Sequence, residues 1–253
     1  MNPDGGVLTG PDNVLEVSLV PPHGPPTVSD AALHRITAAL DRAEADPACR
    51  MLVLHGASGV FCTGLDLGET YAEGEAGPRA SAELFFGVLS RFTRSPVLVV
   101  TVVDGRATGG GVGLVAASDV AVATARAQFA LPELRWGLLP CSVLPFLIRR
   151  TGFQTAYAMT LTGRSLTAPA AERAGLVNEV SANPQASVRR LAEGIGRTRP
   201  SAVGDVKRYV GALHAIPAHA EALAVAELSR LMSSSEFLVA VDEFTSTGRY
   251  PWE

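Results

Sequence analysis

The chain has 253 residues, enough for one large domain or for a domain with an appendage. Hydrophobic residues make up 47% and charged ones only 18%, with 25 glycines and 17 prolines, so a sizeable core is available and global disorder is excluded. With 21 basic and 25 acidic residues the formal charge is -4, and no run of Lys or Arg tracks a phosphate backbone, which argues against nucleic acid as a partner.

The opening MNPDGG carries neither a basic nor an apolar leader. Apolar stretches elsewhere are broken by Gly, Pro or charge well short of the roughly 18 residues of a membrane span, so a cytoplasmic protein that crosses no membrane is expected. Residues 14–20 read as a strand, stopped by Pro21 and Pro22. Ser29 is the N-cap of a helix with Leu33, Ile36 and Leu40 at helical spacing, ended by Asp46 and Pro47. A short apolar strand follows at residues 51–55. A glycine-rich stretch then leads into a helix over about 79–93, and Pro96 opens the continuously apolar strand 97–102, which suits a sheet covered on both faces. After Gly109, Gly110 and Gly111 come a short helix, a strand at 119–123 and an extended piece at 128–130. The run PFLIRR at 145–150 reads as the solvated end of an amphipathic helix, its cations near the C-terminal dipole. From about Arg197 only helices follow, at 206–213, 218–231 and 237–246. Strands alternating with helices predict an α/β layered fold, with a core over residues 1–196 and a helical appendage over 197–253.

Two glycine turns each follow a predicted strand: FCTGLDL at 61–67 and GRATGGGVG at 105–113. Backbone N–H groups at such turns are unpaired, glycine admits a ligand oxygen close to the main chain, and two N–H groups aimed at one point make an oxyanion hole. The competing reading is that these glycines serve tight turns and close helix–sheet packing. Downstream, FALPELRWGLLP carries Glu133 in an apolar setting, where desolvation raises a carboxyl pKa and suits it to proton transfer; a surface ion pair with Arg126 or Arg135 is the alternative. The three cysteines, Cys49, Cys62 and Cys141, have no metal-ligand spacing, so no metal and no disulfide framework are expected. Cys62 is better read as a small buried residue than as a nucleophile, and His55 as a strand-end histidine than as a base.

The order strand, FCTGLDL, helix, strand, GRATGGGVGLVAASDVAVA, then QFALPELRWGLLP resembles the enoyl-CoA hydratase/isomerase, or crotonase, superfamily, from about Val14 to the end of the chain. The resemblance implies a core of repeated ββα spiral turns and a C-terminal helical trimerisation region. It further implies a thioester carbonyl held by two main-chain N–H groups, here those of Leu65 and Gly110, and enolate chemistry α to the thioester with Glu133 as the catalytic carboxylate. Hydratases of this family usually carry a second glutamate, and its place is taken here by Gly113. That departure speaks against plain hydration and leaves chemistry that uses one carboxyl group: isomerisation, decarboxylation, or a dehydration in which the same group takes the α-proton and returns it to the leaving hydroxyl.

The segments SDVAVA, LPELRWGLLP, SVLPFLIRRTG, YAMTLTG and TGRYPWE are similar to the dehydratases of polyketide β-branching cassettes. That resemblance implies conversion of a 3-hydroxy-3-methylglutaryl group on an acyl carrier protein to the 3-methylglutaconyl thioester. No cofactor is implied beyond the phosphopantetheine of the carrier protein, or CoA, that holds the acyl group; the carrier protein is the implied partner, and a homotrimer or dimer of trimers the implied assembly. Asp66 and Tyr71 border the acyl pocket on this reading and are substrate-binding candidates, against a turn-stabilising Asp and a packing Tyr. Arg106 and Arg135 are candidates for a distal carboxylate. A decarboxylase or isomerase of a CoA or carrier thioester is the enzymatic alternative, and a binding protein without catalysis the other.

Overall fold

The structure, a computed structural model, describes residues 8–9, 13–21, 23, 26–57, 59–66 and 77–247. Among the described residues ten strands form two sheets. The larger has β1 (Leu8–Thr9) antiparallel to β2 (Val14–Ser18), then β3 (Met51–His55), β5 (Leu98–Val103), β7 (Val120–Ala123) and β10 (Glu179–Val180), all parallel to β2. The smaller contains β4 (Val60–Cys62), β6 (Arg106–Thr108) and β8 (Gln128–Ala130) in parallel, closed by antiparallel β9 (Leu166–Thr167). The chain therefore steps from β3 to β4, from β5 to β6 and from β7 to β8, one strand in each sheet, before each return. This is the ββα spiral expected of the family.

Helix α1 (Asp30–Ala45) starts as expected, Ser29 Oγ accepting from the Ala32 N–H at 3.2 Å, and buries Leu33, Ile36 and Leu40. The helices α2 (Gly77–Phe92) and α3 (Gly110–Ala117) complete the first two spiral turns. After a 3-10 turn at Glu133–Trp136 come α4 (Leu144–Thr151), α5 (Phe153–Thr162), α6 (Ala168–Arg173) and α7 (Pro184–Gly196). The tail is helical, with α8 (Ala202–Leu213), α9 (Ala220–Met232) and α10 (Ser235–Thr247). Among the described residues no helix is long and apolar enough to cross a membrane.

The main core lies between the two sheets and α1–α5 and contains the fully buried Phe61, Phe92, Phe129 and Phe146. A second cluster, with Met51, Val53 and Val100, is covered by Val188 and Ala192 of α7. That double cover explains why β3 and β5 read as unbroken apolar runs. Helix α8 is pinned by Lys207, whose Nζ lies 2.6 Å from Asp119 Oδ2 and donates to the carbonyls of Phe92 and Val97 at 2.8 and 2.9 Å.

The PFLIRR run departs from the expected solvated helix end. Arg150 crosses to the sheet edge, donating to the carbonyls of Leu176 and Ser118 at 2.8 and 2.6 Å and to Asn178 Oδ1 at 2.6 Å. These acceptors compensate the burial that lowers its pKa to about 10.

Candidate active site

The register of the smaller sheet brings the sequence motifs together. Cys62 pairs with Ala107 and Thr108 with Ala130, so β4, β6 and β8 end side by side. The residues that leave those strands are Gly64 and Leu65, Gly109 and Gly110, and Pro132 and Glu133. All six line one cavity of about 230 Å³. The Gly109 N–H donates to the Ala130 carbonyl at 2.9 Å and so ties the second motif to the third.

The glycines are required by conformation and by space. Gly64 has φ +100 and Gly109 φ 54 with ψ -118, regions that residues with a Cβ avoid. A methyl group at Gly110 would come within 2.8 Å of Val28 Cγ2, and one at Gly64 within 3.8 Å of the Gly110 nitrogen, so the two turns pack directly on each other. Gly110 opens α3 and has no intrahelical acceptor. Among the described residues neither its N–H nor that of Leu65 donates to a backbone carbonyl, whereas Thr63 and Asp66 on either side donate to Pro26 and Val28. Two unpaired donors thus line one cavity beside a carboxyl group.

Glu133 begins the 3-10 turn, which ends at the left-handed Gly137 and is closed by a 3.0 Å bond from the Leu138 N–H to the Glu133 carbonyl. Its side chain sits against Gly109, where a methyl group would meet Oε1 at 3.1 Å. Oε2 is buried with no hydrogen-bond partner among the described residues. Burial among Pro132, Trp136, Leu138 and Val143 pushes the pKa of Glu133 up to about 7. Among the described residues no ion pair to Glu133 is seen: Arg126 pairs with Asp104, and Arg135 is exposed and outside the cavity wall.

Gly113 lies fully buried in α3, and a methyl group there would come within 3.0 Å of Val143 Cγ2 and 3.1 Å of Phe85 Cζ. Both of those side chains also line the cavity, so the position at which the resemblance implies a second carboxylate is surrounded by hydrocarbon.

The other candidates lie elsewhere. Asp66 is off the cavity wall, and its Oδ2 accepts from Thr27 Oγ1 at 3.3 Å. Tyr71 falls outside the described residues. Arg106 is exposed on β6, away from the cavity. His55 borders a separate hollow, its Nε2 3.7 Å from Glu16 Oε2. Cys62 is buried against Gly111 with its thiol pushed up to about 12, and the thiol of Cys141 on the cavity wall is pushed up to about 11, so neither supplies a thiolate at neutral pH. Among the described residues no cluster of His, Cys, Asp and Glu is arranged to hold a metal. A larger hollow of about 810 Å³, lined by Arg94, Arg149, Asp205 and Lys207, contains none of the three motifs.

Sequence reasoning missed two contributors to the cavity. Leu228 reaches it from α9, with Leu138, Met232 and Phe237 in a small cluster that also includes Leu65 and Trp136. Nothing local in the tail sequence marks that contact. Ser142 also lines the cavity; it opens the SVLPFLIRRTG segment, but nothing in that segment marks it as a site residue.

Comparison with known proteins identifies relatives of the whole chain. Residues 9–252 match the family model described as enoyl-CoA hydratase/isomerase. The chain is 29% identical over 243 residues to the bacillaene synthase dehydratase PksH of Bacillus subtilis strain 168, covering 95% of this chain and 93% of that protein. It is 30% identical over 229 residues to the enoyl-CoA hydratase EchA19 of Mycobacterium tuberculosis, covering 83% and 84%. Among solved structures, the polyketide-biosynthesis enoyl-CoA hydratase PksH of Bacillus subtilis aligns with a TM-score of 0.90 at 28% identity, covering 97% of this chain and 98% of that one.

Proposed function

The chain belongs to the enoyl-CoA hydratase/isomerase family and is an enzyme of the hydro-lyase kind, and we propose that it dehydrates a 3-hydroxyacyl thioester through a single carboxyl group, Glu133. The observation that carries this reading is the pairing of one desolvated carboxyl with two unpaired N–H groups in one cavity whose second carboxylate position is packed with Phe85 and Val143.

The thioester oxygen accepts hydrogen bonds from the N–H groups of Leu65 and Gly110. The carboxylate of Glu133 removes the C2 proton, and negative charge moves onto that oxygen as the enolate forms. When C2=C3 forms, the C3–O bond breaks and the departing oxygen takes the proton back from Glu133, leaving water and a carboxylate ready for another turnover. A pKa near 7 suits a group that must take and return a proton at neutral pH.

The substrate we assign is 3-hydroxy-3-methylglutaryl on the phosphopantetheine arm of an acyl carrier protein, giving the 3-methylglutaconyl thioester. Its tertiary β-carbon eases loss of hydroxide, which fits a site with one acid. Similarity to PksH, a dehydratase named for bacillaene synthase, supports a polyketide setting. Exposed Val206, Tyr209 and Leu213 on α8, with Phe153 and Tyr157 on α5, support an oligomer, which we take to be the family trimer. A clean monomer in light scattering would exclude it.

The test is incubation with 3-hydroxy-3-methylglutaryl carrier protein, followed by the intact mass of the carrier. Loss of water is expected, faster than from the CoA thioester. Loss of carbon dioxide from the methylglutaconyl carrier, with no dehydration, would make the protein a decarboxylase, and inertness toward every such thioester would leave it a binding protein.

A further inference from the structure

Two cavity-lining side chains have a buried oxygen with no hydrogen-bond partner among the described residues: Glu133, through Oε2, and Ser142, through Oγ. Ser142 is 3% exposed. Of the other buried serine hydroxyls, Ser81 bonds Asp30 at 3.0 Å, Ser118 the Val115 carbonyl at 2.8 Å and Ser187 Glu179 at 2.6 Å; Ser229 Oγ also has no partner among the described residues, but it lies off the cavity wall, whereas Ser142 is on it. The turn that carries Ser142 is held without it, because the Val143 and Leu144 N–H groups both donate to the Pro140 carbonyl at 3.0 Å, and α4 has no side-chain cap. The hydroxyl therefore stabilises nothing in its own neighbourhood. A buried unpaired hydroxyl is costly, and it persists where a ligand supplies the missing partner. The wall beside it is apolar, since Val143, the next residue, packs toward Gly113.

We propose that Ser142 is a second substrate-contacting group of this site, its hydroxyl donating a hydrogen bond to the β-oxygen of a 3-hydroxyacyl thioester as the C3–O bond breaks. The proposal rests on the dehydration reading. Ser142 keeps its proton throughout: the proton that completes water comes from Glu133, and Ser142 bears on the negative charge that grows on the departing oxygen before that transfer. It has no part in removal of the C2 proton.

Two reactions separate these roles: dehydration of the 3-hydroxy-3-methylglutaryl thioester, and exchange of C2 hydrogen for deuterium in the 3-methylglutaryl thioester, which lacks the hydroxyl. In Ser142→Ala, kcat for dehydration falls on the order of ten- to a hundredfold, as for loss of a hydrogen bond to a charged group. Exchange on the analogue stays at the wild-type rate, and the melting temperature is not lowered. Wild-type dehydration in Ser142→Ala overturns the inference and leaves the dehydration reading standing. An equal fall in both reactions, or a lowered melting temperature with it, makes Ser142 a packing residue and also overturns it. A wild-type protein that exchanges but never dehydrates defeats the dehydration reading, and this inference with it.

Discussion

Replacing Glu133 by Gln should abolish turnover and remove a loss of stability that the wild type suffers as pH rises. Burial lifts the carboxyl from 4.5 to about 7, so the folded protein holds a proton that the unfolded chain releases. Between those values the unfolded state binds fewer protons, and stability falls as pH rises. A carboxyl carried from 4.5 to about 7, at about 1.36 kcal/mol per pH unit, corresponds to about 3 kcal/mol lost between roughly pH 4.5 and pH 8.5. Glutamine resembles the neutral acid in shape and lacks this titration. Its own unpaired amide costs the same at every pH, so the difference between the two proteins across pH isolates the carboxylate. Urea unfolding at one protein concentration, at the two pH values, should show Glu133→Gln gaining about 3 kcal/mol on the wild type as pH is raised. A stability difference independent of pH would refute the desolvated carboxylate, whatever the activity of the variant.

The proposed role of Glu133 as the base also fixes an expected pH profile of catalysis. The protonated acid cannot accept the C2 proton, so kcat/KM should fall tenfold per pH unit below about 7, and a profile flat from about pH 5.5 to 8 would count against Glu133 as the base. Gly113→Glu should not create a two-carboxylate hydratase: with Val143 and Phe85 at 3.0 and 3.1 Å from a new Cβ, overpacking alone costs about 1–3 kcal/mol and a buried unpaired carboxyl adds to it. Thermal melting checks this, and an unshifted midpoint would contradict the packing described. Gly109→Ala forces a Cβ into a conformation that glycine adopts, 3.1 Å from Glu133 Oε1; a loss of about 1–3 kcal/mol and a fall in kcat of about a hundredfold are expected, read by melting and steady-state dehydration.

What was legible in the sequence follows a physical division. Ser29, Leu33 and Ile36 announced α1 because a helix start and a helical apolar face are local patterns. Gly64, Gly109 and Glu133 were legible because a left-handed turn and an isolated carboxyl are properties of short segments. Strands β4 and β6 were not, since three residues give no period and their pairing is set by register with β8 rather than by their own side chains. Arg150 looked like a helix-end cation because its acceptors, on Ser118, Leu176 and Asn178, are all more than 25 positions away. Leu228 and Phe237 reach the site from a tail whose amphipathic pattern says only that a face is buried, not against what.

The filling of the Gly113 position bears on Glu133 as well as on packing. A carboxylate there would raise the Glu133 pKa further by like-charge repulsion and would give water a polar foothold beside it. Phe85 and Val143 remove both effects, leaving desolvation as the chief cause of the shift to about 7. A second polar wall that binds water favours adding it to a double bond; hydrocarbon from Phe85 and Val143 at the Gly113 position favours letting it go. The same enzyme catalyses both directions of the equilibrium, so this asymmetry acts on which species the cavity holds well. A wall of hydrocarbon around Gly113 offers released water no polar partner there, while the Ser142 hydroxyl is placed to contact the 3-hydroxyl of the acyl group. On this view the glycine at 113 shapes what the site binds, because it lets Phe85 and Val143 close over the position at which the resemblance implies a second carboxylate.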